Sequence, residues 1–233
     1  LELTRNAQQQ FGVASRWIDD YTLHIPGGQS YRPANARVEG DWSQGAVPAV
    51  LAGINGGISI EGLSAHSAQG DKAVLDVLAR CGASISWHAG ALLVAPPENG
   101  LVAPGDVGLA DCPDLGPILC ALALFCKGTT CFTNAGRLRI KESDRIATVE
   151  QELGRLGGRI SSTEDTIVVE GLAPLLTGQT AQSHNDHRVV MALSATALAA
   201  GLALDITGAE AISKSWPGFF DDFRKLGAEV DTP

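Results

Sequence analysis

A chain of 233 residues with 45% hydrophobic and 18% charged side chains is long enough to bury a full core, and its formal net charge of −9 argues against a surface built for nucleic acid or anionic lipid. No run approaches the ~18 consecutive apolar residues of a membrane span, and no signal-peptide pattern opens the chain. Cys81, Cys112, Cys120, Cys126 and Cys131 form no Cys-x-x-Cys pair and mostly lie in apolar runs, so they read as reduced core residues of a cytoplasmic protein rather than metal ligands or disulfides.

The chain starts at Leu1 and enters a helical pattern that ends near Phe11-Gly12, an opening expected of a fragment. From about residue 38 a first unit begins. It comprises an apolar helix over 46–52, a strand over 57–63, a helix stopping at Cys81-Gly82-Ala83, and paired strands at 84–87 and 92–95. A second unit covers about 108–173. Asp114, preceded by Pro113, is a good N-cap type for the apolar helix over 115–126. A strand over 128–134 follows, then a helix with Ile146, Val149, Leu153 and Leu156 on one face, ending at Gly157-Gly158, and strands at 159–161 and 166–170. The third unit, about 180–233, has Asn185-Asp186 capping a helix over 189–200 and a strand over 201–208. Its last helix ends at Leu226-Gly227-Ala228, with Pro217 suited to the first helical position.

Gly57, Gly128 and Gly201 mark equivalent points 71 and then 73 residues apart. This spacing predicts an α/β protein of mixed sheets (α+β type), a pseudo-threefold repeat of βαβαββ units with the last copy truncated, packed around the three apolar helices. Residues 1–37 stand outside the pattern and are assigned to the tail of another domain, with 38–233 as the repeat domain.

The run 137–146 packs Arg137, Arg139, Lys141, Arg145, Glu142 and Asp144 into an acidic protein. Leu138 and Ile140 alternate with Arg139 and Lys141 as a short strand would, and helical spacing takes over at Ile146. A basic cluster where a strand meets a helix N-terminus suits an anion, phosphate or carboxylate. Arg145, Arg188 and Lys214 are all expected at helix N-termini, where the dipole disfavours cations unless an anion offsets them. Singly, each has a plain alternative: Arg145 pairs with Glu142, His187 is a satisfied structural histidine, Lys214 is solvated, and Asp114 and Asp186 are caps. Together, on equivalent ends of one repeat, they favour a site.

Arg139-Ile140-Lys141-Glu142-Ser143-Asp144-Arg145, Asn185-Asp186-His187-Arg188 and Ala211-Ile212-Ser213-Lys214-Ser215-Trp216-Pro217 resemble motifs of the 5-enolpyruvylshikimate-3-phosphate (EPSP) synthase family. Val38-Glu39-Gly40-Asp41-Trp42-Ser43-Gln44 is similar to the motif opening that family's first C-terminal-domain repeat. Pro113-Asp114, with Asp114 fourteen residues before Gly128-Thr129-Thr130, matches its catalytic aspartate. The resemblance implies one domain of the inside-out α/β enolpyruvate transferase fold. It also implies transfer of the enolpyruvyl group of phosphoenolpyruvate to the 5-hydroxyl of shikimate 3-phosphate, with no metal or organic cofactor. By motif, Arg145, Arg188 and Lys214 would grip phosphoenolpyruvate, and Asp114 and Lys141 would contact shikimate 3-phosphate. Glu142 and Lys141 would move the proton at the enol carbon, and Asp114 would accept the hydroxyl proton.

Two positions depart from the family pattern. Arg137 stands where members usually carry Asn or Glu, and Gln44-Gly45 replaces a Ser-Ala pair; neither is assigned a site role. The family's N-terminal half is missing apart from residues 1–37. The resemblance therefore implies that half as the partner, an inactive chain without it and a monomeric whole, while the acidic composition is what argues against a nucleic-acid or membrane partner. The sister UDP-N-acetylglucosamine enolpyruvyl transferase shares the fold, but the Lys-Glu-Ser-Asp-Arg and Asn-Asp-His-Arg motifs fit it less well. A non-catalytic anion-binding module is the reading outside enzymes.

Overall fold

The computed structural model describes residues 1–231. At its start α1 (Glu2–Gln10) is polar and buries none of its residues. The β1 (Arg16–Trp17) and β2 (Leu23–His24) hairpin is tied back to it by Glu2, whose carboxylate accepts from Arg5 and from Trp17 Nε1.

The first copy consists of α2 (Trp42–Asn55), β3 (Ser59–Ile60), α3 (Val74–Arg80), β4 (Ser84–His88) and β5 (Ala91–Ala95). The second has β6 (Asp106–Gly108), α4 (Gly116–Ala123), β7 (Thr129–Thr133), α5 (Arg145–Arg155), β8 (Arg159–Ser162) and β9 (Ile167–Glu170). The third has β10 (Gln179–Gln182), α6 (His187–Ala200), β11 (Leu204–Thr207) and α7 (Phe219–Lys225). Its expected last two residues, Thr232 and Pro233, lie outside the described residues.

The second copy is the complete βαβαββ unit. In it β6 runs parallel to β7, with Val107 opposite Phe132, and β9 pairs antiparallel with both β7 and β8. In the first copy β5 lies between β3 and β4, antiparallel to both. In the third, β10 and β11 are parallel. Among the described residues the first copy has no leading strand; there the Gly40 N–H donates to the Gly62 carbonyl at 2.8 Å.

Helices α2, α4 and α6 pack on one another at the centre. Every residue of α4 is buried, as expected of a helix that is apolar all round. By contrast α5 is one-sided, burying Ile146, Val149 and Leu153 against β8 and the α4–α6 centre. Cys81, Cys112, Cys120 and Cys126 are buried in this core and Cys131 is half-buried.

One boundary differs from expectation. The last helix starts at Phe219 with Gly218 as its N-cap, not at Pro217. The Trp216 N–H bonds back to Ile212 and the Phe219 N–H to the Trp216 carbonyl, so a turn encloses Pro217 before the helix begins. No helix among the described residues is long and apolar enough to cross a membrane.

Candidate functional site

The expected strand at Leu138 and Ile140 is a 3-10 helix, Gly136–Ile140. A strand would put these two side chains on one face, yet Leu138 is fully buried and Ile140 is 83% exposed. Tertiary bonds impose the turn. Asp165 Oδ1 accepts from the Gly136 N–H at 2.6 Å, and the Leu138 N–H bonds the Ala135 carbonyl. Leu138 seats on Gly116, where a Cβ would lie 2.7 Å from its Cδ1, so the run is keyed onto the first turn of α4. Arg139 belongs to this scaffold: its guanidinium bonds the carbonyls of Thr163 and Glu164 and the Asp144 carboxylate. Asp144 in turn caps α5 by accepting from the Ala147 N–H.

Arg145, the first residue of α5, is the hub, with a side chain only 1% exposed. Its Nε donates to Asp186 Oδ2 at 2.8 Å and its Nη2 to Asp186 Oδ1 at 3.2 Å. Nη1 donates to Asp114 Oδ1 at 2.7 Å, and Nη2 also to Glu142 Oε2 at 2.6 Å. Lys141 Nζ shares the same Asp114 oxygen at 3.1 Å. Asp186 is fully buried and also accepts from Ser143 Oγ and from the Arg188 N–H, the expected cap of α6.

Asp114 does not act as the expected helix cap. It sits in a 3-10 turn, Pro113–Leu115, without a capping bond, because Lys141 and Arg145 hold its carboxylate. Burial pushes the Asp114 carboxyl up, but the bond from Lys141 and the charges of Lys141, Arg145 and Arg188 outweigh it and hold it below the usual carboxylate range. Asp186 is likewise pushed up by burial and brought below its ordinary value chiefly by Arg145. Burial alone would weaken the Arg145 cation; the Asp186 bond and the three carboxylates reverse that.

Arg188 and Lys214 lie on the neighbouring side of the α6 start. Arg188 Nη1 donates to the Ser43 carbonyl at 2.9 Å. Lys214 does not begin a helix but closes the 3-10 helix Ala209–Lys214, and its Nζ donates to Asn185 O and Oδ1 at 2.5 and 2.8 Å. Gln44 Nε2 bonds the Ser215 carbonyl at 2.7 Å, joining the first copy to the third. His187 Nδ1 stands 3.9 Å from Glu142 Oε1 and 4.0 Å from Asp186 Oδ1. Burial and the Arg188 charge push its imidazole below the ordinary value. Among the described residues, His187 Nδ1, Arg188 Nε and Ser215 Oγ are buried without a hydrogen-bond partner. Arg137 is apart from this group, with Nη1 on the Ala110 carbonyl.

Ser43 and Asp71, not anticipated from the sequence, bring the first copy into the site. Ser43 Oγ donates to Asp71 Oδ2. Burial raises the Asp71 carboxyl against the pull of Ser43 and Arg188. A signal precedes it in Gly70, whose Cβ would lie 2.3 Å from the Asp111 carbonyl oxygen, so only glycine fits there.

Fixed cations, carboxylates of opposed protonation tendency and unpartnered donors suit proton transfer coupled to loss of an anion. A family model for EPSP synthase (3-phosphoshikimate 1-carboxyvinyltransferase) matches residues 2–223. The chain belongs to the EPSP synthase family. It is 37% identical over 232 residues to the 3-phosphoshikimate 1-carboxyvinyltransferase of Clostridium kluyveri, covering 99% of this chain and 53% of that protein. Against the enzyme of the same name from Brachyspira hyodysenteriae it is 40% identical over 212 residues, 91% of this chain and 50% of that protein. The structure of EPSP synthase from Acinetobacter baumannii superposes with a TM-score of 0.79 at 26% identity, covering 95% of this chain and 53% of that one. The enolpyruvyl transferase NikO from Streptomyces tendae shares the fold, with a TM-score of 0.69 at 19% identity. The chain spans about half the length of the curated relatives it matches. The motifs whose resemblance pointed to the EPSP synthase family are the segments that meet at Arg145 and the α6 start.

Proposed function

We propose that this chain supplies one half of the active site of an enzyme that transfers the enolpyruvyl group of phosphoenolpyruvate to the 5-hydroxyl of shikimate 3-phosphate, releasing phosphate. The observation that carries the reading is the hub at Arg145, where Asp114 and Glu142 are gathered with Lys141 around one buried cation. Residues 1–37 belong, in this reading, to the domain that supplies the other half, and 38–233 form the repeat domain. We take the protein to act in the cytoplasm, a compartment supported by free, mostly buried cysteines.

Phosphoenolpyruvate is held by Arg188, Lys214 and the outer edge of Arg145. The buried, unpartnered Arg188 Nε supports this assignment, since such donors are costly unless a ligand satisfies them. Arg145 already donates to three carboxylates, so a substrate anion takes the place of Asp114 or Glu142 on it. That exchange has a chemical use. Clamped between Lys141 and Arg145, Asp114 is a poor base; released from Arg145, it regains affinity for a proton.

Glu142 or Lys141 protonates the methylene carbon, which builds positive character at C2. The 5-hydroxyl oxygen attacks C2 and gives its proton to Asp114, forming a tetrahedral phosphate ketal. Loss of a proton from the new methyl group to the same acid–base pair re-forms the double bond. Phosphate departs with the C–O bonding electrons, toward the cations.

The test is phosphate release by the full-length gene product given phosphoenolpyruvate with either acceptor. Turnover with shikimate 3-phosphate and none with UDP-N-acetylglucosamine is expected. No release with shikimate 3-phosphate refutes the reading, and binding without turnover points to an anion-binding module.

A further inference from the structure

The proposed chemistry makes no use of one buried carboxylate. Glu152 opens the last turn of α5, two turns beyond Arg145, and its side chain is 1% exposed. Oε2 accepts from the Gln182 N–H at 2.9 Å and stands 3.4 Å from Arg155 Nε; Oε1 is 2.9 Å from His184 Nε2. Gln182 ends β10, and His184 belongs to the short loop that leads into α6.

That loop is strained. His184 and Asn185 are consecutive non-glycine residues at φ 52° and 57°. Such residues persist where surrounding contacts over-determine them. Ser183 Oγ accepts from the Asn185 N–H, and the Ser183 carbonyl from Asp186. From this loop project Asn185, which receives Lys214 Nζ at two oxygens, Asp186, which holds Arg145, and then Arg188. Glu152 therefore links the helix that starts with Arg145 to the loop that sets Arg188 and Lys214.

We propose that Glu152 and His184 are a positioning pair that fixes Arg188 and Lys214 relative to Arg145 for binding of phosphoenolpyruvate; this rests on the enolpyruvyl-transfer reading. Neither side chain is assigned contact with substrate. Neither Glu152 nor His184 bonds Lys141 or Asp114, which reach the loop only through Arg145, so the pair acts first on anion binding and only secondarily on the proton transfers.

His184→Gly in the full-length gene product separates this role from a purely structural one. Glycine removes the imidazole but suits φ 52°, so a role confined to backbone conformation predicts unchanged or improved stability and an unchanged KM. The positioning role predicts a KM for phosphoenolpyruvate raised about tenfold, with kcat and the KM for shikimate 3-phosphate within about twofold. Amide hydrogen exchange over 185–188 should speed up while that of α5 holds. Glu152→Ala should behave like His184→Gly. Glu152→Gln should restore the wild-type KM to within about threefold, because its carbonyl can still accept from Gln182 and its amide can bond the imidazole. An unchanged KM in His184→Gly, a fall in kcat alone, or no rescue by Glu152→Gln overturns the proposal. Absence of turnover in the unsubstituted protein strikes the activity reading instead. The pair is then judged by exchange over 185–188 in His184→Gly, and unchanged exchange there overturns it too.

Discussion

Replacing Asp186 by Ala removes the fully buried counter-charge of Arg145. Asp186 takes two of the guanidinium hydrogen bonds, one from Ser143 and the N-cap bond of α6. Breaking a buried pair by deleting one partner costs about 3–5 kcal/mol. Because Arg145 keeps Asp114 and Glu142, the lower end applies, about 3 kcal/mol. Loss of the cap adds about 1 kcal/mol, for an expected total of about 4 kcal/mol. Asp186→Asn keeps the shape and can still accept the Arg188 N–H, so it should cost about 1 kcal/mol less than Asp186→Ala. For a chain of this size the Ala variant should melt about 8–16 °C lower. Urea unfolding at pH 7 measures the free-energy loss in each variant and thermal unfolding the Tm, both followed by tryptophan fluorescence, to which the fully buried Trp42 contributes. A Tm within about 2 °C of wild type for Asp186→Ala, or equal losses in the two variants, would refute the hub as the anchor of this region.

Asp114 and Asp186 both have folded-state carboxyls held below the ordinary value. Their stabilisation is present above the unfolded value of about 3.9 and is lost as pH falls through their lower folded values. Acid titration of stability should therefore fall away below about pH 4 and be shallower in Asp186→Asn; a flat profile from pH 5 to 2 contradicts this. His187, depressed by burial and Arg188, should titrate below about 6.5 in an NMR experiment, its stabilisation present above that value and lost as pH falls through the folded one; titration at or above it contradicts the buried, neutral imidazole. Gly116→Ala drives a methyl into Leu138 and should cost about 1–3 kcal/mol; loss under about 0.5 kcal/mol in urea unfolding shows the contact to be loose.

The parts legible in the sequence are those written in periodicity. The helices α2, α4 and α6 stand out because long apolar stretches have few other homes, and the paired strands after Cys81 and Gly158 alternate as strands do. Asp186 as a cap and Arg145 in a first turn also follow from local rules. The 3-10 turn over Leu138 does not, because so few residues cannot separate a period of two from one of three when Asp165 and Gly116 decide the matter from elsewhere. Asp114 offers the same carboxylate to a cap or to a cation, and the choice depends on Lys141 and Arg145 arriving from a distant segment. Glu152 beside Arg155 reads locally as a solvated pair three residues apart; only the arrival of Gln182 and His184 makes it a buried anchor.

The bond between Arg145 and Asp186 spans 41 residues and joins two copies of the repeat. Equivalent copies in tandem invite recombination, since similar segments can be exchanged between relatives without disturbing either fold. A joint placed anywhere between these two residues takes the cation from one parent and its buried counter-charge from the other. Chimaeras with joints beyond Ala200 inherit the pair intact, and within the interval only parents that agree at both positions are interchangeable. The unit of inheritance for this site is thus larger than the unit of the fold.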